Sequence, residues 1–243
     1  IYPPQPRGPA VPGTTALMLA GGGGGGDGER VEVTVRPRAA AAAQAASAAP
    51  AVLYFGGNAE AVVWSLPGLD AAFPDHALYL MHYRGYGGST GRPTEAALVA
   101  DALALHDHVR AAHGERAEVV VIGRSLGSGV AVQLAANRPG GVSRLVLVTP
   151  YDSLTALATR LYPIFPVRWL LLDRFDSVHH APAIDAPTLV VAAEDDEVIP
   201  RAGTEALVAR FRAGVATLRI VAGAGHNTIS ESTEYVRLLG GRR

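Results

Sequence analysis

Val119-Val120-Val121-Ile122-Gly123-Arg124-Ser125-Leu126-Gly127-Ser128-Gly129 is the stretch that decides the fold. The apolar run Val119 to Ile122 reads as a buried strand, and the small residues from Gly129 to Asn137 read as a helix. Between them, Ser125 has glycine at both second neighbours. Glycine removes the Cβ clashes that would otherwise forbid a sharp strand-to-helix turn, and such a turn presents the serine hydroxyl to a substrate. The amide of Leu126 then opens the following helix and points to where a carbonyl oxygen would become negative.

The five-residue pattern alone is weak in a chain with 28 glycines. Gly87-Gly88-Ser89-Thr90-Gly91 fits the same letters. Context separates the two, because Ser89 is followed by Arg92-Pro93, and proline removes an N–H and disfavours helix in the residue before it. Ser125 has strand before and helix after, which makes it the candidate nucleophile.

Working outward, strands and helices alternate, the pattern of a parallel sheet covered on both faces. Strands are expected at Thr15–Leu19, Arg30–Val35, Ala51–Phe55, Ala77–His82, Ala117–Ile122, Arg144–Val148, Thr188–Ala193 and Thr217–Val221. Gly21 to Gly28 reads as the connection between the first two, and it lacks the lysine of a phosphate loop. Ala39 to Ala49 suits either a short helix or a loop. Thr94 is an N-cap candidate for a helix carrying Leu98, Ala102, Leu105 and Val109, closed by Gly114. His106, His108 and His113 on this helix read as solvated surface residues rather than metal ligands.

The 243 residues, 49% of them hydrophobic, suit one α/β domain over 1–243. A formal charge of −1 with no basic block argues against nucleic acid as a partner. All basic side chains are arginine, from which no function follows. With no cysteine, thiolate metal sites, disulfides and a thiol nucleophile are excluded. The longest apolar runs fall below the roughly 18 residues of a membrane-spanning helix. The sequence starts at Ile1, so an exporting or anchoring segment could precede it, and localisation is left open.

In open parallel sheets, ligands bind beyond the carboxyl ends of the strands. Those positions hold Gly56-Gly57-Asn58, Arg84-Gly85-Tyr86-Gly87, Ser125, Tyr151-Asp152, Asp195-Asp196 and His226. Serine needs a base, and imidazole is suited to the task near neutral pH. His226, in the glycine-rich loop Gly223-Ala224-Gly225-His226, is the first choice and His82 the second. The histidine in turn needs a carboxylate. Asp196 is favoured over Asp195, with Asp152 third. One oxyanion donor is the Leu126 amide. The other is expected from the loop after Phe55, at Asn58, where Gly56 and Gly57 allow close approach.

With these residues placed, the chain resembles the α/β-hydrolase superfamily, in the branch of bud-emergence proteins and abhydrolase-domain depalmitoylating enzymes. The likeness is carried by Tyr54-Phe55-Gly56-Gly57-Asn58-Ala59-Glu60, the segment Tyr83 to Glu95, Gly123 to Gly129, Pro187 to Pro200 and Gly223 to Asn227. It spans most of the chain. By position, the resemblance implies Ser125 as nucleophile, Asp196 as acid and His226 as base, with Asn58 and Leu126 forming the oxyanion hole. A serine hydrolase of this kind is expected to need no metal or organic cofactor. One departure is Gly56, where relatives usually carry histidine. The Tyr83 to Gly87 block reads as structural, and neither Arg84 nor Ser89 as catalytic.

The resemblance implies an α/β-hydrolase fold, with a mostly parallel sheet, helices on both faces and a small or absent cap. Residues 151–186, rich in leucine and aromatic residues, form either that cap or an ordinary packed helix. The expected function is a serine hydrolase of carboxylic esters or thioesters acting through an acyl-enzyme on a small-molecule or acylated substrate. A serine peptidase of the same fold and a non-catalytic binding protein on this scaffold are the alternatives.

Overall fold

The computed structural model describes residues 2–23, 28–38, 48–161 and 167–241. Its frame is an eight-stranded sheet of β1 (Thr15–Ala20), β2 (Arg30–Arg36), β3 (Ala51–Phe55), β4 (Ala77–Met81), β5 (Val119–Arg124), β6 (Arg144–Val148), β7 (Thr188–Asp195) and β8 (Ala216–Gly225). The strand order is β1-β2-β4-β3-β5-β6-β7-β8. β2 pairs antiparallel with both β1 and β4, and every other pairing is parallel. This is the mostly parallel sheet expected from the sequence, here with an antiparallel hairpin at one edge.

Side chains along the strands alternate between two apolar layers, as the two-residue period of a strand requires. Leu53, Phe55, Val119, Val121, Leu145 and Leu147 face one layer. Tyr54, Val120, Ile122, Val146 and Val148 face the other. The first layer is covered by α2 (Glu95–His113), α3 (Leu126–Asn137) and α7 (Arg201–Val208), and the second by α1 (Leu66–Ala72) and α8 (Thr233–Leu239). Each fully buried Leu or Val contributes roughly 1.5–3 kcal/mol relative to exposure. A continuous apolar layer on each face therefore pins the register of every central strand.

The chain runs from β3 outward to β4 and then crosses back to β5 on the other flank of β3. That reversal leaves a crevice at the carboxyl ends of β3 and β5, the place where open α/β sheets bind ligands. Right-handed crossovers on either side of the reversal account for α1 and α2 lying on opposite faces.

Helix α2 is bounded as expected. Thr94 accepts a hydrogen bond from the Ala97 amide, and Gly114, at φ 92°, ends the helix. One reading of this helix is corrected: His106 is buried, not solvated, because its ring reaches the Gly141 carbonyl at 3.0 Å. His113 is half-buried between Tyr79 and the Ala49 carbonyl, and His108 is exposed. Within 151–186 lie α4 (Leu154–Leu161), α5 (Val167–Leu170) and α6 (Ser177–His180). Leu157 and Phe175 pack into the first apolar layer, whereas Trp169, Leu170 and Leu172 are exposed. The segment thus combines a packed base with an outward rim. The helix-or-loop reading of Ala39 to Ala49 falls almost wholly on residues 39–47, outside the described residues.

Candidate active site

β5 and α3 meet at Ser125, whose backbone sits at φ 49° and ψ −116°. This conformation costs a non-glycine residue of order 1–3 kcal/mol and persists only where the surroundings enforce it. Here the Ser125 amide donates to the Val148 carbonyl at 2.9 Å, and its carbonyl accepts from the Ser128 amide and hydroxyl at 2.9 and 2.6 Å. The flanking glycines give the turn its space. A Cβ on Gly123 would lie 2.3 Å from the Gly127 carbonyl oxygen, and one on Gly127 would lie 2.0 Å from that of Phe55. Both are backbone contacts that no side-chain rotation relieves.

The competing match at Ser89 is a structural turn. Its hydroxyl donates to the His82 carbonyl at 2.8 Å and accepts the Glu32 amide at 2.8 Å, and no helix follows it directly.

His226 follows β8, and Asp196 follows β7. The two strands are paired as far as Asp195 opposite Gly225, so the next residue of each is delivered side by side. β8 is longer than the sequence suggested: Gly223 to Gly225 are strand, not loop. The register shifts between Ala193 and Asp195, Gly223 adopts φ 63°, and its amide donates to Glu194 Oε2. Such irregularities re-aim the residues at a strand end.

His226 Nε2 lies 3.0 Å from Ser125 Oγ, and its Nδ1 lies 3.1 and 3.0 Å from Asp196 Oδ1 and Oδ2. His226 and Asp196 side chains are 7% and 8% exposed, so this contact is shielded from water and its geometry is held. Burial pushes the Asp196 carboxyl up. Hydrogen bonds from His226 and from the Ile199 and Val198 amides outweigh that, and hold its pKa below the usual carboxylate value. A carboxylate kept charged beside Nδ1 favours the tautomer with Nδ1–H and leaves Nε2 free to accept a proton.

The other candidates are elsewhere. Asp152 is buried in contact with Arg160 and the Ser153 amide. Asp195 is exposed. His82 bonds Thr34 Oγ1 at 2.8 Å. Arg84 forms a buried ion pair with Asp101 and also pairs with Glu29.

The loop after β3 reaches Ser125 at Gly57, where a Cβ would stand 3.5 Å from that of Ser125. The Gly57 amide is engaged, donating to Glu60 Oε2 at 2.6 Å. The Asn58 and Leu126 amides donate to no described residue, so both remain available to a ligand oxygen. Asn58 is exposed, and its side-chain oxygen accepts from Tyr86 at 3.1 Å. Tyr83 donates to the Gly56 carbonyl at 2.7 Å, and the Ala59 amide donates to the Tyr86 hydroxyl at 3.3 Å. The tyrosines of the Tyr83 to Gly87 block therefore hold this loop, as a structural block should. Gly56 leaves little room for a side chain: a Cβ would meet Val62 Cγ1 at 2.7 Å and Glu60 Cδ at 3.1 Å, so those side chains would have to shift.

Sequence reasoning passed over two residues here, Glu60 and Arg124, which form an ion pair at 3.0 Å across 64 positions of sequence. Both were visible inside the motifs as opposite charges beside two loops that must meet.

A family model described as Serine aminopeptidase, S33 matches residues 46–171 and 170–233. An uncharacterized protein of Mycobacterium tuberculosis is 38% identical over 185 residues, covering 73% of this chain and 63% of that protein. Lysophosphatidylserine lipase ABHD12 of Xenopus tropicalis is 34% identical over 134 residues, covering 49% of this chain and 34% of the lipase. The chain thus spans less than two thirds of the length of either relative. Among solved structures, the Pyrococcus furiosus esterase Pf2001 superposes with a TM-score of 0.76 at 15% identity, covering 100% of this chain and 98% of that one. These findings bear out the α/β-hydrolase fold and the abhydrolase resemblance read from the sequence.

Proposed function

This chain belongs to the α/β-hydrolase family whose model is described as Serine aminopeptidase, S33, and we propose that it cleaves carboxylic ester or thioester bonds through an acyl-enzyme. The observation that carries the proposal is the continuous contact from Asp196 through His226 to Ser125. The esterase and lipase names among its relatives and neighbours support the same reaction class.

In this reading, Ser125 Oγ attacks the acyl carbon while His226 Nε2 takes its proton. The carbonyl oxygen becomes an anion, received by the Leu126 and Asn58 amides. Asp196 stabilises the imidazolium, which then returns the proton to the departing alkoxide or thiolate. Water, deprotonated by His226, releases the acid and restores Ser125.

A second reading, a serine peptidase, is favoured by the family description itself. Both reactions share the acyl-enzyme, so leaving-group preference separates them. Purified protein assayed with matched acyl esters, acyl thioesters and aminoacyl amides is expected to turn over the esters or thioesters and to leave the amides uncleaved above background, because a peptidase cleaves both although the amine is the poorer leaving group. Enzymatic turnover of the amides, whatever the ester rate, would reverse the order of the two readings.

A further inference from the structure

Glu60 has a partner set that no other carboxylate of the site has. Oε2 accepts from the Gly57 amide at 2.6 Å and from Arg124 Nη1 at 3.0 Å. Oε1 accepts from the Tyr54 hydroxyl at 2.6 Å and from Ser65 Oγ at 2.7 Å. Its side chain is 10% exposed and that of Arg124 is 14% exposed. Arg124 precedes Ser125 directly, and its Nη2 donates to the His226 carbonyl at 3.2 Å. One ion pair therefore touches the loop after β3, the turn after β5 and the histidine after β8.

We propose that Glu60 is a positioning residue that sets the oxyanion loop and, through Arg124, locks it to Ser125 and His226. The inference rests on the reading of Ser125 as nucleophile. By capturing the Gly57 amide, Glu60 turns that donor away from the reacting oxygen and fixes the peptide before Asn58. The Asn58 amide is then the one left free to meet the oxyanion beside Leu126. Preorganised donors act because they need not reorient as charge develops, so a strut on this loop belongs to the rate of the chemical step more than to substrate binding.

Four groups offer hydrogens to Glu60, and a carboxylate is the side chain that accepts on both oxygens. Burial pushes the Tyr54 hydroxyl pKa well above its ordinary range, with Glu60 adding to the rise, so Tyr54 stays a donor. Glutamine can keep its oxygen toward Gly57 and Arg124 while its amide faces the two hydroxyls, which can rotate to accept. It preserves the shape of the strut but not the charge that holds Arg124. Alanine removes both.

The test is steady-state kinetics on an activated ester for the wild type, Glu60→Gln and Glu60→Ala, normalised to sites titrated with a fluorophosphonate, with melting temperatures alongside. Expected are a kcat per titrated site lower by about a hundredfold for Glu60→Ala and about tenfold for Glu60→Gln, with KM within about threefold in both. If Glu60→Ala does not fold, Glu60→Gln decides. A lowered melting temperature with kcat per titrated site within about threefold of wild type overturns the proposal, as does a loss confined to KM. If the wild type itself neither labels nor turns over ester, the hydrolase reading fails and this inference with it. An active wild type with unimpaired Glu60 variants defeats this inference alone.

Discussion

Both carboxylate oxygens of Asp196 lie within 3.1 Å of His226 Nδ1, while the adjacent Asp195 ends its strand exposed. Two consecutive acids thus stand in unlike environments, because the pairing of Asp195 with Gly225 places the next residue, not Asp195, beside the imidazole. Asp196→Asn is expected to lower kcat by about 10³–10⁴-fold through loss of the productive tautomer, and Asp195→Asn by less than about threefold. Ester kinetics on the two purified variants check this, and an equal loss in both contradicts it.

Among the described residues the Asn58 side chain makes one hydrogen bond, as acceptor from Tyr86, and its backbone amide is the group proposed to meet the oxyanion. Asn58→Ala keeps that amide. It is expected to retain kcat within about threefold, whereas loss of an oxyanion donor costs about 10²–10³-fold. A kcat drop in that larger range would show that the side-chain amide is the donor.

Gly127 faces the Phe55 carbonyl so closely that any Cβ would penetrate backbone. Gly127→Ala must displace α3 from β3, at a cost of about 2–4 kcal/mol. For a chain of this size that corresponds to a melting temperature lower by about 5–15 °C. Thermal unfolding followed by circular dichroism tests it, and an unchanged midpoint would mean the turn is looser than described.

His82 is a buried histidine outside the candidate site. Burial lowers its pKa below 6.5, with Glu32 opposing the shift and Arg7 adding to it. In the window below 6.5 the unfolded chain binds the proton more readily, so stability is full above that pH and declines as pH falls through the folded-state value. His76 shifts in the same direction, also through burial, and supplies a background slope. The fall in melting temperature between pH 7.5 and 5.5 is expected to be smaller in His82→Gln than in wild type. Identical falls in the two proteins would show that His82 does not contribute.

The turn at Ser125 was legible because its requirement is local: strand, two glycines at fixed offsets, helix. The same holds for α2, whose cap and closing glycine lie within a turn of its ends. Gly223-Ala224-Gly225 at the end of β8 has loop composition, and only pairing to β7 makes it strand. The burial of His106 is hidden from the sequence for a similar reason, since the Gly141 carbonyl that satisfies it comes from a distant connection. Position in the sequence favours Asp196 over Asp195, and it is the register of two parallel strands that brings Asp196 beside His226. Glu60 and Arg124 were passed over because their meeting depends on the sheet bringing the ends of β3 and β5 together.

The proposed activation of Ser125 by His226 is read out by covalent labelling. Wild-type protein treated with a fluorophosphonate and mapped by peptide mass spectrometry is expected to carry one adduct on Ser125, absent from Ser125→Ala and strongly slowed in His226→Ala. Labelling of Ser125→Ala at the wild-type rate, or no adduct on Ser125 in a folded wild type, would contradict the account.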